Sequence, residues 1–95
     1  MLDIEKKYVL KDNILLKSIN DSFFALDTNI GTQYRLNRVS YDLLSSLDGR
    51  KKIIDVILYV ASHYKIEEDV FRKDSIEFFD MAISKKIITE GEKYE

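Results

Sequence analysis

The sequence predicts an α+β fold in which a three-stranded antiparallel sheet precedes three helices. Three observations lead there. Between residues 14 and 36 the apolar residues come in short runs separated by turn-forming pairs. From residue 38 onward they recur at helical spacing, with no proline to interrupt them. Ninety-five residues, 45% hydrophobic and 34% charged, make a single globular domain and not a disordered chain.

ILLKSI (14–19) and FFALD (23–27) flank Asn20-Asp21, a pair that favours tight turns. TNIG then leads into QYRL (33–36), and short runs joined this tightly form an antiparallel meander. Residues 23–26 are apolar on both faces, as a middle strand requires. In QYRL, Tyr34 and Leu36 alternate with Gln33 and Arg35, leaving one face apolar and one polar. That pattern suits an edge strand.

Asn37 stands where it can cap the first helix, whose Val39, Leu43, Leu44 and Leu47 share a face and which Gly49 follows. A second helix is expected over 53–64, with Ile54, Ile57, Leu58 and Ala61 in one stripe. The third runs from about 67 to 85, with acids in its first turn and lysines at its close, both favourable to the helix dipole. On a wheel of this helix Phe71, Ile76, Phe78, Phe79, Ala82 and Ile83 sweep nearly half the circumference, interrupted by Arg72. A helix covering one small core needs a narrower stripe. The surplus is either further core or the wall of a groove, and periodicity does not separate the two. The expected organisation is an N-terminal extension over 1–13, a domain over 14–89 and a C-terminal tail over 90–95.

Little in the chain points to catalysis. The absence of cysteine excludes disulfides and thiolate metal sites. His63 is the only histidine, and no nucleophile or orienting acid stands at a suitable spacing, so it reads as a solvated helix-end residue. The acids at 67–69 lack the ligand and glycine spacing of a calcium loop. Glycines at 31, 49 and 91 form no phosphate cradle. A non-enzyme without metal or cofactor is expected. The first residues, MLDIEKKYVLKDN, have no basic region leading into an apolar run, and the longest apolar run, 56–61, is far short of the roughly 20 residues that span a bilayer. The net charge of −2 gives nucleic acid no global attraction. The chain is thus expected in the cytoplasm, without a membrane or nucleic-acid partner.

The same element order fits a winged-helix DNA-binding transcriptional regulator, which is the alternative. Its recognition helix would be 53–64, yet the interior IIDVILYVAS carries Asp55 and no base. Arg50, Lys51 and Lys52 precede it and read as a solvated turn.

Five short motifs in order carry a resemblance: Leu36-Asn37, Leu47-Asp48-Gly49, His63-Tyr64, Phe78-Phe79 and Ile87-Ile88. Over about residues 14–89 the chain resembles the PqqD-like domains called RiPP recognition elements, which serve ribosomally synthesised, modified peptides. It departs from their pattern at Lys86, where glycine is frequent, at Ala82, where leucine is common, and at Val39-Ser40, which replaces a frequent Thr-Gly. The resemblance implies a winged helix-turn-helix-like fold and a peptide-chaperone function. Such domains bind the leader segment of a precursor peptide and present it to a modifying enzyme, such as a radical SAM enzyme, or to a leader peptidase. The leader adds as a strand beside the third strand and against the third helix. The implied peptide-binding residues are Gln33, Tyr34, Arg35 and Leu36 on the strand, with Arg72, Ser75, Ile76, Phe79 and Ile83 on the helix. A discrete recognition subunit is expected.

Overall fold

The structure, a computed structural model describing residues 2–91, turns its first hairpin on two residues with left-handed backbone. Asn20 and Asp21 have φ of 48° and 65°. This is the type I′ geometry, whose twist matches that of the strands it joins. The turn links β2 (Ile14–Ile19) to β3 (Ser22–Asp27), with Ile19 opposite Ser22 and Ile14 opposite Asp27. β3 pairs in turn with β4 (Gln33–Leu36), Phe23 facing Leu36 and Leu26 facing Gln33, so the sheet order is β2-β3-β4. Asp27 closes the second loop. Its amide donates to the Thr32 carbonyl at 2.8 Å, and its carboxylate accepts from Asn13 Nδ2 at 2.9 Å and the Asn29 amide at 3.0 Å. Gly31, with φ 74°, supplies the left-handed residue the loop needs.

α1 (Arg38–Ser45) starts at the predicted cap, where Asn37 Oδ1 accepts from the Ser40 amide at 2.7 Å. The following turn is held by Asp48, whose Oδ1 accepts from the amides of Arg50 and Lys51 at 2.8 and 3.0 Å. These amide bonds and the adjacent Lys51 ammonium hold the Asp48 carboxyl at a pKa of about 2. α2 (Ile53–Ala61) ends three residues short of the predicted 53–64, in a turn where the Tyr64 amide donates to the Ala61 carbonyl. α3 (Glu68–Ser84) closes in a Schellman motif: the Ile87 amide donates to the Ala82 carbonyl at 2.8 Å and the Lys86 amide to Ile83 at 3.0 Å. Lys86 holds the left-handed position of that motif at φ 60°, a conformation glycine adopts without cost.

Two further strands lie where spacing gives no signal. β1 (Tyr8–Leu10) pairs antiparallel with β5 (Ile88–Glu90), Tyr8 opposite Glu90, as a separate two-stranded sheet. The segment before β1 also finishes the start of α2, which has no side-chain cap. The Ile53 and Ile54 amides donate to the carbonyls of Lys6 and Ile4, both at 3.0 Å. Helix starts leave such amides without intrahelical partners, so these bonds tie the first residues into the fold. Of the tail expected over 90–95, Glu90 belongs to β5, while 92–95 lie outside the described residues.

The core gathers Ala25 and Leu36 from the sheet, Leu43 and Leu44 from α1, Ile53, Val56, Ile57 and Val60 from α2, and Phe71, Phe79 and Ala82 from α3. Among the described residues, no helix is long and apolar enough to cross a membrane.

Candidate functional site

Among the described residues, β4 has β3 on one side and no strand on the other. Two hydrogen bonds show which of its main-chain groups are unused. The Asp27 amide donates toward the β4 side, to Thr32, and the Thr28 amide toward the β2 side, to Asn13, both at 2.8 Å. In an antiparallel ladder a residue's N–H and C=O point the same way, and successive residues alternate. Odd-numbered residues of β3 therefore bond to β4. By register these are Phe23 with Leu36 and Ala25 with Tyr34. Gln33 and Arg35 turn their N–H and C=O outward, giving two donors and two acceptors on an open edge.

Between that edge and α3 runs a groove of about 480 Å³. Gln33, Tyr34, Arg35 and Leu36 form one wall, and Phe78, Met81 and Lys85 the other. Past Asn37, Ser40 and Phe78 it meets a recess of about 250 Å³, lined by Val39, Leu43, Phe71 and Ser75, with exposed Ile66 and Asp74 at its rim. The two share three lining residues and so adjoin one another. Lys85 leans over Tyr34, its Nζ 5.9 Å from the ring centroid.

The four strand residues named from sequence come together on this wall, with Leu36 also serving the core at 8% exposure. Ser75 lines the recess. The other helix positions lie elsewhere. Phe79 is fully buried and offers the groove no surface. Ile83 lines a different recess, with Tyr8, Lys11 and Ile88. Arg72 and Ile76 share the Ile83 flank by helical spacing. Arg72 pairs with Glu68 at 3.2 Å, and its buried Nε has no hydrogen-bond partner among the described residues.

The physical reason is the phase of α3. Its buried seam is Phe71, Ser75, Phe79 and Ala82. At about 100° per residue, Asp74, Phe78, Met81 and Lys85 fall on one flank of that seam and Arg72, Ile76 and Ile83 on the other. The first flank faces β4. Against the second lie the N-terminal residues and the β1–β5 pair: the Leu2 amide donates to the Asp80 carboxylate at 3.0 Å, and Ile83 lines one recess with Tyr8 and Ile88. The apolar arc that looks surplus in sequence is the one this cover uses. The groove wall, by contrast, mixes Phe78 and Met81 with charged residues, so hydrophobicity alone does not mark it.

His63 sits exposed beyond the end of α2, with Nδ1 3.0 Å from the Tyr59 carbonyl. Tyr64 donates its hydroxyl to Asp42, and burial foremost raises its pKa. Among the described residues, no group of three or more histidines and acids is placed to hold a metal ion. What the groove presents is main-chain donors and acceptors, apolar surface and a pair of cations, an arrangement able to hold an extended chain.

Fold and groove together define a small winged-helix-like domain with an open strand edge walled by a helix. The family model for coenzyme PQQ synthesis protein D (PqqD) matches residues 1–88, and the chain belongs to that family. The match includes the N-terminal residues that carry β1. Two solved structures share the fold. One, TbiB1 in complex with the TbiA(β) leader peptide, is 20% identical and covers 92% of this chain and 98% of that one, with a TM-score of 0.71. The other, lasso peptide synthetase B1 complexed with the leader peptide, is 17% identical and covers 87% and 98%, with a TM-score of 0.73. No curated protein matches the chain.

Proposed function

We propose that this protein binds the leader segment of a ribosomally made precursor peptide as an added strand on β4. The observation that carries the proposal is the pair of outward-facing residues, Gln33 and Arg35, on an edge walled by Phe78, Met81 and Lys85. Membership of the PqqD family and two folds of the same kind holding leader peptides support it. Four main-chain bonds, at about 0.5–1.5 kcal/mol each, offset only part of the cost of ordering a free peptide. Side chains settling against Tyr34, Phe78 and the recess must supply the rest and the selectivity. In this reading Gln33, Tyr34, Arg35, Leu36 and Ser75 contact the peptide, while Phe79, Arg72, Ile76 and Ile83 support the helix behind it. The bound leader is then presented to a modifying enzyme, a radical SAM enzyme being one such partner, or to a leader peptidase.

Titrating isotope-labelled protein with a precursor leader tests this. Amide shifts should concentrate at 33–37 and around Phe78, Met81 and Lys85, with affinity falling far less steeply with salt than that of a DNA complex. Salt-steep binding of duplex DNA, centred on α2 and unaccompanied by leader binding, would favour the transcriptional-regulator alternative instead.

A further inference from the structure

The groove between β4 and α3 is electrically lopsided. Where β4 begins, Lys85 lies over the Tyr34 ring, its Nζ 5.9 Å from the centroid, and Arg35 lines the same stretch. Some eleven residues back along α3, about 16 Å at 1.5 Å per residue, Asp74 stands at the rim of the recess. None of Arg35, Lys85 and Asp74 has an ion-pair partner among the described residues. Ser75, only 2% exposed, lines the recess beside Asp74. One end of the groove thus offers two cations, Lys85 on the α3 side and Arg35 on the other face of β4, and the other end a carboxylate.

Helix ends act in the opposite sense, because the start of α1 adjoins the recess and the end of α3 adjoins Lys85. Each amounts to roughly half a charge, and the Ser40 amide at the α1 start is already taken by Asn37. The full side-chain charges therefore set the sign. An added strand pairs somewhat better antiparallel than parallel. Because β4 runs from Gln33 toward Asn37, an antiparallel peptide enters at the Asp74 end and leaves at the Lys85 end. At about 3.4 Å per residue the 16 Å separation corresponds to roughly five residues, and since every second side chain of a strand shares a face, two that both face α3 stand about four or six apart.

Resting on the strand-addition reading above, we propose that the groove selects its peptide by charge order. The favoured segment carries a basic side chain facing Asp74 and, about four or six residues toward its C-terminus, an acidic side chain facing Lys85, with Arg35 adding positive charge from the other face of β4. The charges thereby choose the direction of the strand as well as its sequence, since a reversed peptide places like charges together at both ends.

A displayed library of random short peptides, selected against the wild type, Asp74→Lys, and the double variant Arg35→Glu with Lys85→Glu, tests this. The wild type should enrich a base followed about four or six positions later by an acid. The double variant should convert the acidic position to lysine or arginine and hold wild-type winners about tenfold more weakly at low salt, the gap narrowing at high salt. Asp74→Lys should change the N-terminal preference alone. Asp74, Arg35 and Lys85 are exposed, so melting temperatures should stay close to wild type and confirm folded variants. Peptides that slow amide exchange at Gln33 and Arg35 but show no charge order, or the reverse order, would overturn this inference and leave strand addition standing. Failure to enrich any peptide would overturn both.

Discussion

Proline at Tyr34 and proline at Arg35 differ by one position and should differ in kind. At Arg35 the lost N–H faces the open edge, a place where edge strands tolerate proline. At Tyr34 it is the N–H directed at Ala25, a residue with no exposure. Losing that bond leaves a buried carbonyl unpaired, at about 1–3 kcal/mol. Losing the half-buried ring costs roughly another 1–2 kcal/mol. In a domain of this size each kcal/mol moves Tm by about 4–8 °C, so Tyr34→Pro should melt more than about 10 °C below wild type and Arg35→Pro only slightly below it. Tyr34→Ala separates the ring from the N–H. Peptide affinity should move the other way round. Arg35→Pro gives up one main-chain bond to the leader, about 1 kcal/mol or roughly fivefold in Kd by calorimetric titration. Arg35→Ala accounts for the side chain. Hydrogen exchange reads the same parity without mutation: the Gln33 and Arg35 amides should exchange quickly in the free protein and slow when peptide binds, while Tyr34 and Leu36 stay slow throughout. Equal stability losses at the two prolines, or four equally protected amides before peptide is added, would refute the outward assignment and the open edge with it.

Two further outcomes are expected. Phe79→Ala should cost about 3–5 kcal/mol in denaturant unfolding, because that ring is wholly buried. Phe78→Ala, next in sequence but half-buried on the groove wall, should cost less stability and more leader affinity. The second outcome concerns acid. With its folded pKa near 2, below the 3.8 of an ordinary aspartate, Asp48 binds a proton more readily in the unfolded chain. Its contribution is full above about pH 5 and fades as pH falls toward 2. Because the side chain is partly exposed, that contribution should be no more than about 1 kcal/mol. Urea melts of Asp48→Asn against wild type should show a gap that closes across this window.

Strands β2, β3 and β4 are legible in sequence because each alternates or saturates with apolar residues and is bounded by residues that accept left-handed backbone. Asn20 and Asp21 both take up that backbone, which sets the register of the first hairpin. The helices are legible from spacing, with α3 off by one residue at each end. β1 and β5 are not, since three residues carry too little alternation to register, and their pairing joins parts of the chain some eighty residues apart. The phase of α3 inherits that gap. Without knowing that the first residues cover the Ile83 flank, no count of apolar positions says which side of the helix stays open. Ser75 shows the same effect from the other side, a polar residue that the seam buries. At Lys86 the departure from the family's glycine leaves the helix-ending backbone in place, at a left-handed φ of 60°.

The β1–β5 pair brings the two outer stretches of the chain side by side, Tyr8 opposite Glu90 and the Gly91 amide on the Lys7 carbonyl at 3.0 Å. A pull applied through those stretches loads the pair as a zipper. Its bonds carry the tension in succession, and the yield force is that of one bond, far below what several strands sheared together would bear. Once β1 peels off, the Lys6 and Ile4 carbonyls leave the Ile53 and Ile54 amides, and α2 frays from its first turn. The strand that carries Gln33 and Arg35 pairs, among the described residues, with β3 alone and lies outside this path. Under traction the domain therefore opens from the flank of α3 that faces away from the groove.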